Sequence, residues 1–254
     1  MNHIVSPHHD HRFENLSENS ISNQWNADTD IDWSIGIKRP SWLLGRFHGA
    51  LISQFKFGEL ATIKVCQSLL KQISDPSIRS LLEQQIADET RHAHVYDRYL
   101  FRIGDDAPYD QAMSESVNRI LQWHGSHLGI ITAVHIVLEG EALRTLQDLA
   151  DDIPCPLFSQ INIRISRDEA RHVAFGKVYL LRHLPTLSLD ERIEIFRFVR
   201  NIWTDCTSNI LNGFKIPGFV SGHLRRCWVD AGWTRHCRSM VDIGLLNEEQ
   251  MSRA

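Results

Sequence analysis

One stretch of this chain repeats itself at a fixed distance. Asp88-Glu89-Thr90-Arg91-His92 returns eighty residues later as Asp168-Glu169-Ala170-Arg171-His172. The same shift carries Pro76 onto Pro156, Tyr99-Leu100 onto Tyr179-Leu180 and Glu59 onto Glu139. A single offset that satisfies every match without a gap marks two copies of one structural unit. Each unit reads Glu and then, thirty residues on, Glu-x-x-His.

Helical geometry gives the spacing its meaning. Glu and His three residues apart lie on one helix face, one turn from each other. A Glu on each preceding antiparallel helix reaches the same level. Four helices then aim Glu59, Glu89, Glu139 and Glu169, with His92 and His172, at one interior point. Four buried carboxylates without counter-charge cost many kcal/mol, so cations must lie among them. Two divalent ions supply that charge. Mixed carboxylate and imidazole donors suit iron or manganese, and the lack of thiolates excludes an iron–sulfur centre.

Several neighbours enter as candidates. Metal-bound imidazoles usually donate their second N–H to a carboxylate. Asp88 and Asp168 are placed to do this, each for a histidine, including the one on the opposite helix. Arg91 and Arg171 can pair with these aspartates. Glu141 competes with Glu139 for the third-helix position; the repeat lays it over Ala61, which favours Glu139, and Glu141 stays an extra candidate ligand. His135, one turn before Glu139, is a second. Tyr96, one turn after His92, lies within reach of the metals. Phe55, Tyr96 and Phe175 are expected to line a pocket beside them.

The rest of the 254 residues frames this site. Residues 1–38 are polar with little periodicity and read as a loose N-terminal arm, tacked on by Trp25 and Trp33; His3, His8, His9 and His11 form an incidental patch there. Residues 39–254 form one helical domain, with a core bundle over about 41–185 and extra helices over 186–254. Helices are expected over 41–73, from Asp75-Pro76 to about Phe101, over 113–150 with a break near Gly125, and from Pro156 to about His183. A loop is expected over 104–112 and a break at Pro217-Gly218. Net charge is −4, which gives no reason to expect nucleic acid. No apolar run is long enough to span a bilayer. Five cysteines with no CxxC pair point away from disulfides and towards the cytoplasm.

At Phe57-Gly58-Glu59-Leu60-Ala61, Ala87–Ala93, Val137-Leu138-Glu139-Gly140 and Arg167–Gly176 the sequence resembles the ferritin-like di-iron carboxylate superfamily. The closest likeness is to its oxygenases and oxidases related to p-aminobenzoate N-oxygenase and the ribonucleotide reductase small subunit. The resemblance implies an all-α, ferritin-like four-helix bundle with additional C-terminal helices. It implies that Glu59, Glu89, His92, Glu139, Glu169 and His172 bind two iron ions, with Mn/Fe as the other pairing, and that the reduced site activates O2. It also implies a homodimer and an external electron donor. The N-oxygenase has a further histidine one turn before the last ligand glutamate; here that residue is Ile165. The reductase subunit has its radical tyrosine where Tyr96 stands.

The leading expectation is therefore an O2-dependent di-iron oxygenase acting on a small organic molecule, with N-oxygenation of an amine as the specific form. Iron storage with ferroxidase activity and a non-catalytic, metal-stabilised helical module are the rival readings.

Overall fold

The computed structural model describes residues 11–38, 45–104, 111–213, 222–223 and 225–254, and those residues contain helices and no strands. Residues 105–110 of the expected 104–112 loop, the break at Pro217-Gly218, the helix start near Pro40 and His3, His8 and His9 lie outside them; residues 111 and 112 are already helical.

Four long elements make the bundle: α2 (Gly45–Leu69), α3 (Pro76–Ile103), a composite third element and α7 (Pro156–His183). The repeat is visible in three dimensions, because α3 and α7 are both 28 residues long and start at the prolines eighty residues apart. Asp75 caps α3 by accepting from the backbone N–H of Ser77 and Ile78, and Pro76 sits where a missing N–H costs nothing. Gly104 ends the helix at φ 67°, a left-handed conformation that a side chain would strain.

The third element has the expected break near Gly125 and, beyond it, a π turn that the periodicity does not announce. It is divided into α4 (Gln111–Leu121), a break at 122–126, α5 (His127–Ile131), a π-helical turn (Thr132–Leu138) and α6 (Glu139–Asp152). The Thr132 hydroxyl donates to the Leu128 carbonyl at 2.7 Å inside this stretch. A widened turn of this type removes a side chain from helical register, which no apolar periodicity announces. Gly176 on α7 faces it: a Cβ there would lie 2.4 Å from the His135 Cβ. The two backbones come this close only because residue 176 has no side chain.

Outside the bundle, α8 (Leu189–Gly213) packs against α4 and the π turn. A second π-helical turn (Arg225–Asp230), α9 (Ala231–Asp242) and α10 (Glu248–Arg253) follow. The core falls into two apolar clusters. One is centred on Leu69, Leu82, Ile131, Leu180 and Trp203, the other on Ile52, Tyr99, Phe158 and Ile161. Each fully buried aliphatic side chain contributes roughly 1.5–3 kcal/mol.

The N-terminal residues are not a loose arm from residue 11 onward. They form α1 (His11–Ser22), which packs on α3 and α7, and a loop pinned to the bundle. Phe13 is buried with its ring 6.3 Å from that of Phe175. Trp33 donates to the Ala27 carbonyl at 2.7 Å and lies under the Arg98 guanidinium at 4.2 Å. A few well-placed apolar residues anchor this segment, too few to give a periodic signal. His11 is exposed and bonds Glu14.

Among the described residues no helix is long and apolar enough to cross a membrane, and all five cysteines are unbridged.

Candidate metal centre

The bundle brings together all six residues of the repeated motif. Glu59 on α2, Glu89 and His92 on α3, Glu139 at the start of α6, and Glu169 and His172 on α7 are all at most 8% exposed. Their donor atoms form two overlapping groups, Glu59–Glu89–His92–Glu169 and Glu89–Glu139–Glu169–His172. Within each group the atoms lie within 4.8 Å of one another. Glu89 and Glu169 belong to both. The arrangement is that of two adjacent cation positions with two shared carboxylates, one private Glu and one private His each.

Electrostatics favour cations here. Glu59, Glu89 and Glu169 form ion pairs with the two histidines, Glu139 accepts from Gln85, and no Lys or Arg among the described residues pairs with any of the four. Glu139 Oε2 and His172 Nδ1 are buried without a hydrogen-bond partner. Burial, with Glu89 adding to it, pushes the Glu59 carboxyl well above the ordinary range. Burial does the same to Glu139, reinforced by Glu169 and Glu89 against the pull of His172. Burial works against charge on His92 and His172, but Glu59 beside one and Glu89 beside the other outweigh it and raise both. The fold thus favours positive charge among these carboxylates, and the donor set fits a pair of iron or manganese ions.

The aspartates of the motif cross over. His92 Nε2 donates to Asp168 Oδ2 at 2.9 Å, and His172 Nε2 donates to Asp88 Oδ2 at 3.2 Å. Each half of the repeat therefore orients the other half's imidazole. With Nε2 so engaged, Nδ1 of both rings faces the glutamates, 3.1 Å from Glu89 in each case. Arg91 contacts Asp88 at 2.5 Å and Asp168 at 3.1 Å, and Arg171 contacts the same two carboxylates. Asp168 is held far below the carboxylate range: burial acts upward, but the hydrogen bond from His92, that residue's charge and Arg171 prevail.

Three participants escape sequence reading. Trp25 donates its indole N–H to Asp168 Oδ2 at 2.8 Å and stacks on His92 with ring centroids 6.2 Å apart. Gln24 donates to Asp88 at 3.0 Å. Gln85, one turn before Glu89, donates to Glu139 Oε1 at 2.5 Å and to Glu89 Oε1 at 3.2 Å. Only the turn-spacing of Gln85 ahead of Glu89 was a signal; Trp25 and Gln24 belong to a segment without one.

Two candidate ligands are corrected. His135 is absent from both donor groups; its Nε2 donates to Gln85 Oε1 at 3.0 Å, and burial pushes its imidazole down to about 3. It fixes the orientation of Gln85. Glu141 reaches the wall of the adjoining cavity but is in neither donor group, and its carboxylate is engaged elsewhere. It accepts from Arg144 at 2.6 Å and Trp228 Nε1 at 2.9 Å, and pairs with Arg235 at 3.3 Å. Two helical steps rotate a side chain by about 200°, so Glu139 and Glu141 cannot serve one site. Glu141 instead ties the C-terminal helices to α6. Tyr96 is fully buried and stacked on Phe55 at 5.7 Å, and its hydroxyl has no hydrogen-bond partner.

Beside the glutamates opens a mostly apolar cavity of about 190 Å³. Glu59, Glu139 and Glu169 reach its wall, and Phe55, Val65, Ile120, Leu138 and Trp203 line the rest. Phe55 was expected there; Tyr96 and Phe175 are not among the lining residues.

No protein-family model matches this sequence, and no curated protein matches it. Solved structures do. An R2-like ligand-binding oxidase with aerobically reconstituted Mn/Fe cofactor aligns at TM-score 0.63 and 18% identity, over 96% of this chain and 94% of that one. The R2-like ligand-binding oxidase from Sulfolobus acidocaldarius gives TM-score 0.62 and 17% identity, over 89% and 90%. A variant of such an oxidase, anaerobically reconstituted with Mn/Fe, gives 0.64 and 18%, over 89% and 91%. The chain has the ferritin-like helical bundle of these proteins.

Proposed function

We propose that this chain is an O2-dependent oxidoreductase. Glu59, Glu89, His92, Glu139, Glu169 and His172 hold two redox-active metal ions, and a small organic substrate is oxidised in the adjoining cavity. The observation that carries the reading is the pair of four-residue donor groups sharing Glu89 and Glu169, with three of the glutamates opening onto an apolar chamber. A metal held only for stability needs no such chamber. The solved neighbours named for a Mn/Fe cofactor support either an iron pair or that mixed pair.

When bound, the metal ions supply electrons to O2 and the oxidising power that results. The protein's own part is positional. Asp88 and Asp168 keep the Nε2 proton on each histidine, so that Nδ1 is the free donor. Gln85 holds Glu139 and Glu89 in register, and His135 holds Gln85. The mostly apolar walls exclude water, and the ligand carboxylates are among the polar groups a substrate meets beside the metals. Those carboxylates accept hydrogen bonds from N–H groups, which fits oxygenation at an amine nitrogen as the specific reaction. Electrons come from a donor outside the chain.

The test is anaerobic loading with ferrous iron, alone and with manganous ion, followed by metal counting and rapid mixing with O2. Two metals per chain and a transient visible absorbance, whose decay small amines accelerate, are expected. Two metals with no reaction would leave a structural metal module. Mineral formation without substrate oxidation would identify iron storage.

A further inference from the structure

The repeat places a second chemical element in each half of the bundle. Tyr99 and Tyr179 stand seven residues after His92 and His172, so each lies two turns along the same helix face, about 10 Å from its histidine at 1.5 Å per residue. Each tyrosine hydroxyl is directed at the Nε2 of a histidine: His48 for Tyr99, His127 for Tyr179. The two pairs are not equivalent. Tyr99 lies 3.4 Å from His48 and 3.9 Å from the Cys155 thiol, and all three residues are buried. Tyr179 donates to His127 at 2.9 Å, and His127 is half-buried, with a side open to solvent.

We propose that Tyr179 and His127 form a proton-coupled redox pair that passes single electrons between the dinuclear site and the protein surface. The proposal rests on the function proposed above, since the oxidant is the O2-oxidised metal site. Tyr179 gives one electron to that site, which is thereby reduced by one. Its O–H bond breaks and the proton moves along the existing hydrogen bond to His127 Nε2, leaving a neutral phenoxyl and an imidazolium.

Four observations converge on this pair. Oxidising a phenol makes its proton strongly acidic, so a hydrogen-bonded base at ordinary distance is the feature that permits oxidation, and 2.9 Å supplies it. Burial lowers the His127 imidazole, so its Nε2 is free to accept. Burial also pushes the Tyr179 phenol up to about 12, so the ground state keeps its proton until an electron leaves. On α7 an aromatic ring stands between the metal ligand His172 and the pair. Phe175, three residues past His172, lies 5.8 Å from Tyr179, whose ring in turn lies 4.3 Å from that of His183. Tyr96 is nearer the metals but has no hydrogen-bonded base for its proton. Such a route drains an oxidised site that finds no substrate, before its own ligands are damaged.

The experiment is freeze-quench electron paramagnetic resonance on the iron-loaded full chain mixed with O2 without substrate. A tyrosyl signal is expected. Tyr179→Phe, which keeps the ring and removes only the hydroxyl, abolishes it; Tyr96→Phe and Tyr99→Phe leave it. His127→Phe suppresses it, and deuterated solvent slows its formation. A signal that survives Tyr179→Phe overturns the proposal. So does an oxidised metal site that decays with no tyrosyl signal, an outcome that leaves the oxidoreductase reading standing. If instead the metals never react with O2, that reading fails, and a photogenerated ruthenium(III) oxidant applied to the metal-free protein decides the pair. A tyrosyl signal there that disappears in Tyr179→Phe supports it, and an unchanged signal, or none, overturns it.

Discussion

The two halves of the bundle carry the same ligands on differently built frames. In the first half α2 runs unbroken through Glu59, Gln85 stands one turn before Glu89, and Tyr96 fills the position after His92. In the second the chain reaches Glu139 through a π turn, Ile165 replaces Gln85, and Gly176 replaces Tyr96. The differences compensate one another. The π turn brings His135 against α7, and the absence of a side chain at 176 makes room for it. The single Gln85 then serves both halves, holding Glu89 of one and Glu139 of the other. The lesson is that a repeated ligand set can be kept while the walls around it diverge. Here the divergence lies one turn to either side of the ligands, at 85/165 and 96/176, and the six ligands themselves are kept.

The sharpest way to break this symmetry is through the shared carboxylates. Glu89→Ala and Glu169→Ala each remove a donor from both groups, so both variants should lose both metals. Glu59→Ala and Glu139→Ala each touch one group and should retain about one metal per chain; metal counting after loading separates the two classes. Gly176→Ala comes next. Its Cβ would meet the His135 Cβ at 2.4 Å, and overpacking of that kind costs about 1–3 kcal/mol. Thermal unfolding should show the loss. Gly140→Ala, with open space around the added carbon, should gain up to about 1 kcal/mol through helix propensity.

Glu141→Gln tests the divergence at Ala61. It should leave the metal count unchanged and cost about 1–3 kcal/mol by weakening the bonds to Arg144, Arg235 and Trp228. Loss of a metal in that variant would return Glu141 to the ligand set.

The smallest effect is one of pH. Glu59, Glu139, His92 and His172 all hold their protons to higher pH in the fold than they do free. A group raised in the folded state stabilises it while protonated, and that contribution is lost as pH rises. The metal-free protein should therefore melt at lower temperature as pH rises from about 5 to about 8. Asp168 and Glu89, shifted downward, act only at lower pH. Metal binding must displace the same protons, so apparent metal affinity should rise with pH over that range. An equilibrium titration checks this. Equal pH profiles with and without metal would contradict both expectations.

Much of this was legible in the sequence because the repeat is long and its spacing rigid. Glu–His pairs three apart on helices of equal length leave little freedom, and the repeat favoured Glu139 over Glu141 without deciding between them. The crossing of Asp88 and Asp168 to opposite histidines was foreseeable for a further reason: an Asp next to its own Glu has a partner helix in front of it. What stayed hidden depends on contacts without period. Trp25 acts from a loop, through one hydrogen bond to a residue 143 positions away. The π turn alters register without changing composition. Gln85 looks like any polar residue on a helix until Glu139 arrives opposite it.

The crossed clasp also has a consequence for the order in which the molecule comes into being. During synthesis His92 leaves the ribosome long before Asp168, the group that sets its ring. Trp25 waits longer still for the same carboxylate. No nascent chain shorter than 168 residues holds a finished imidazole, and none shorter than 172 holds both. A truncated chain, or a first half expressed alone, would have glutamates and a histidine in the right places with nothing to aim them. The groups that aim the metal ligands are thereby complete only once 172 of the 254 residues have been made.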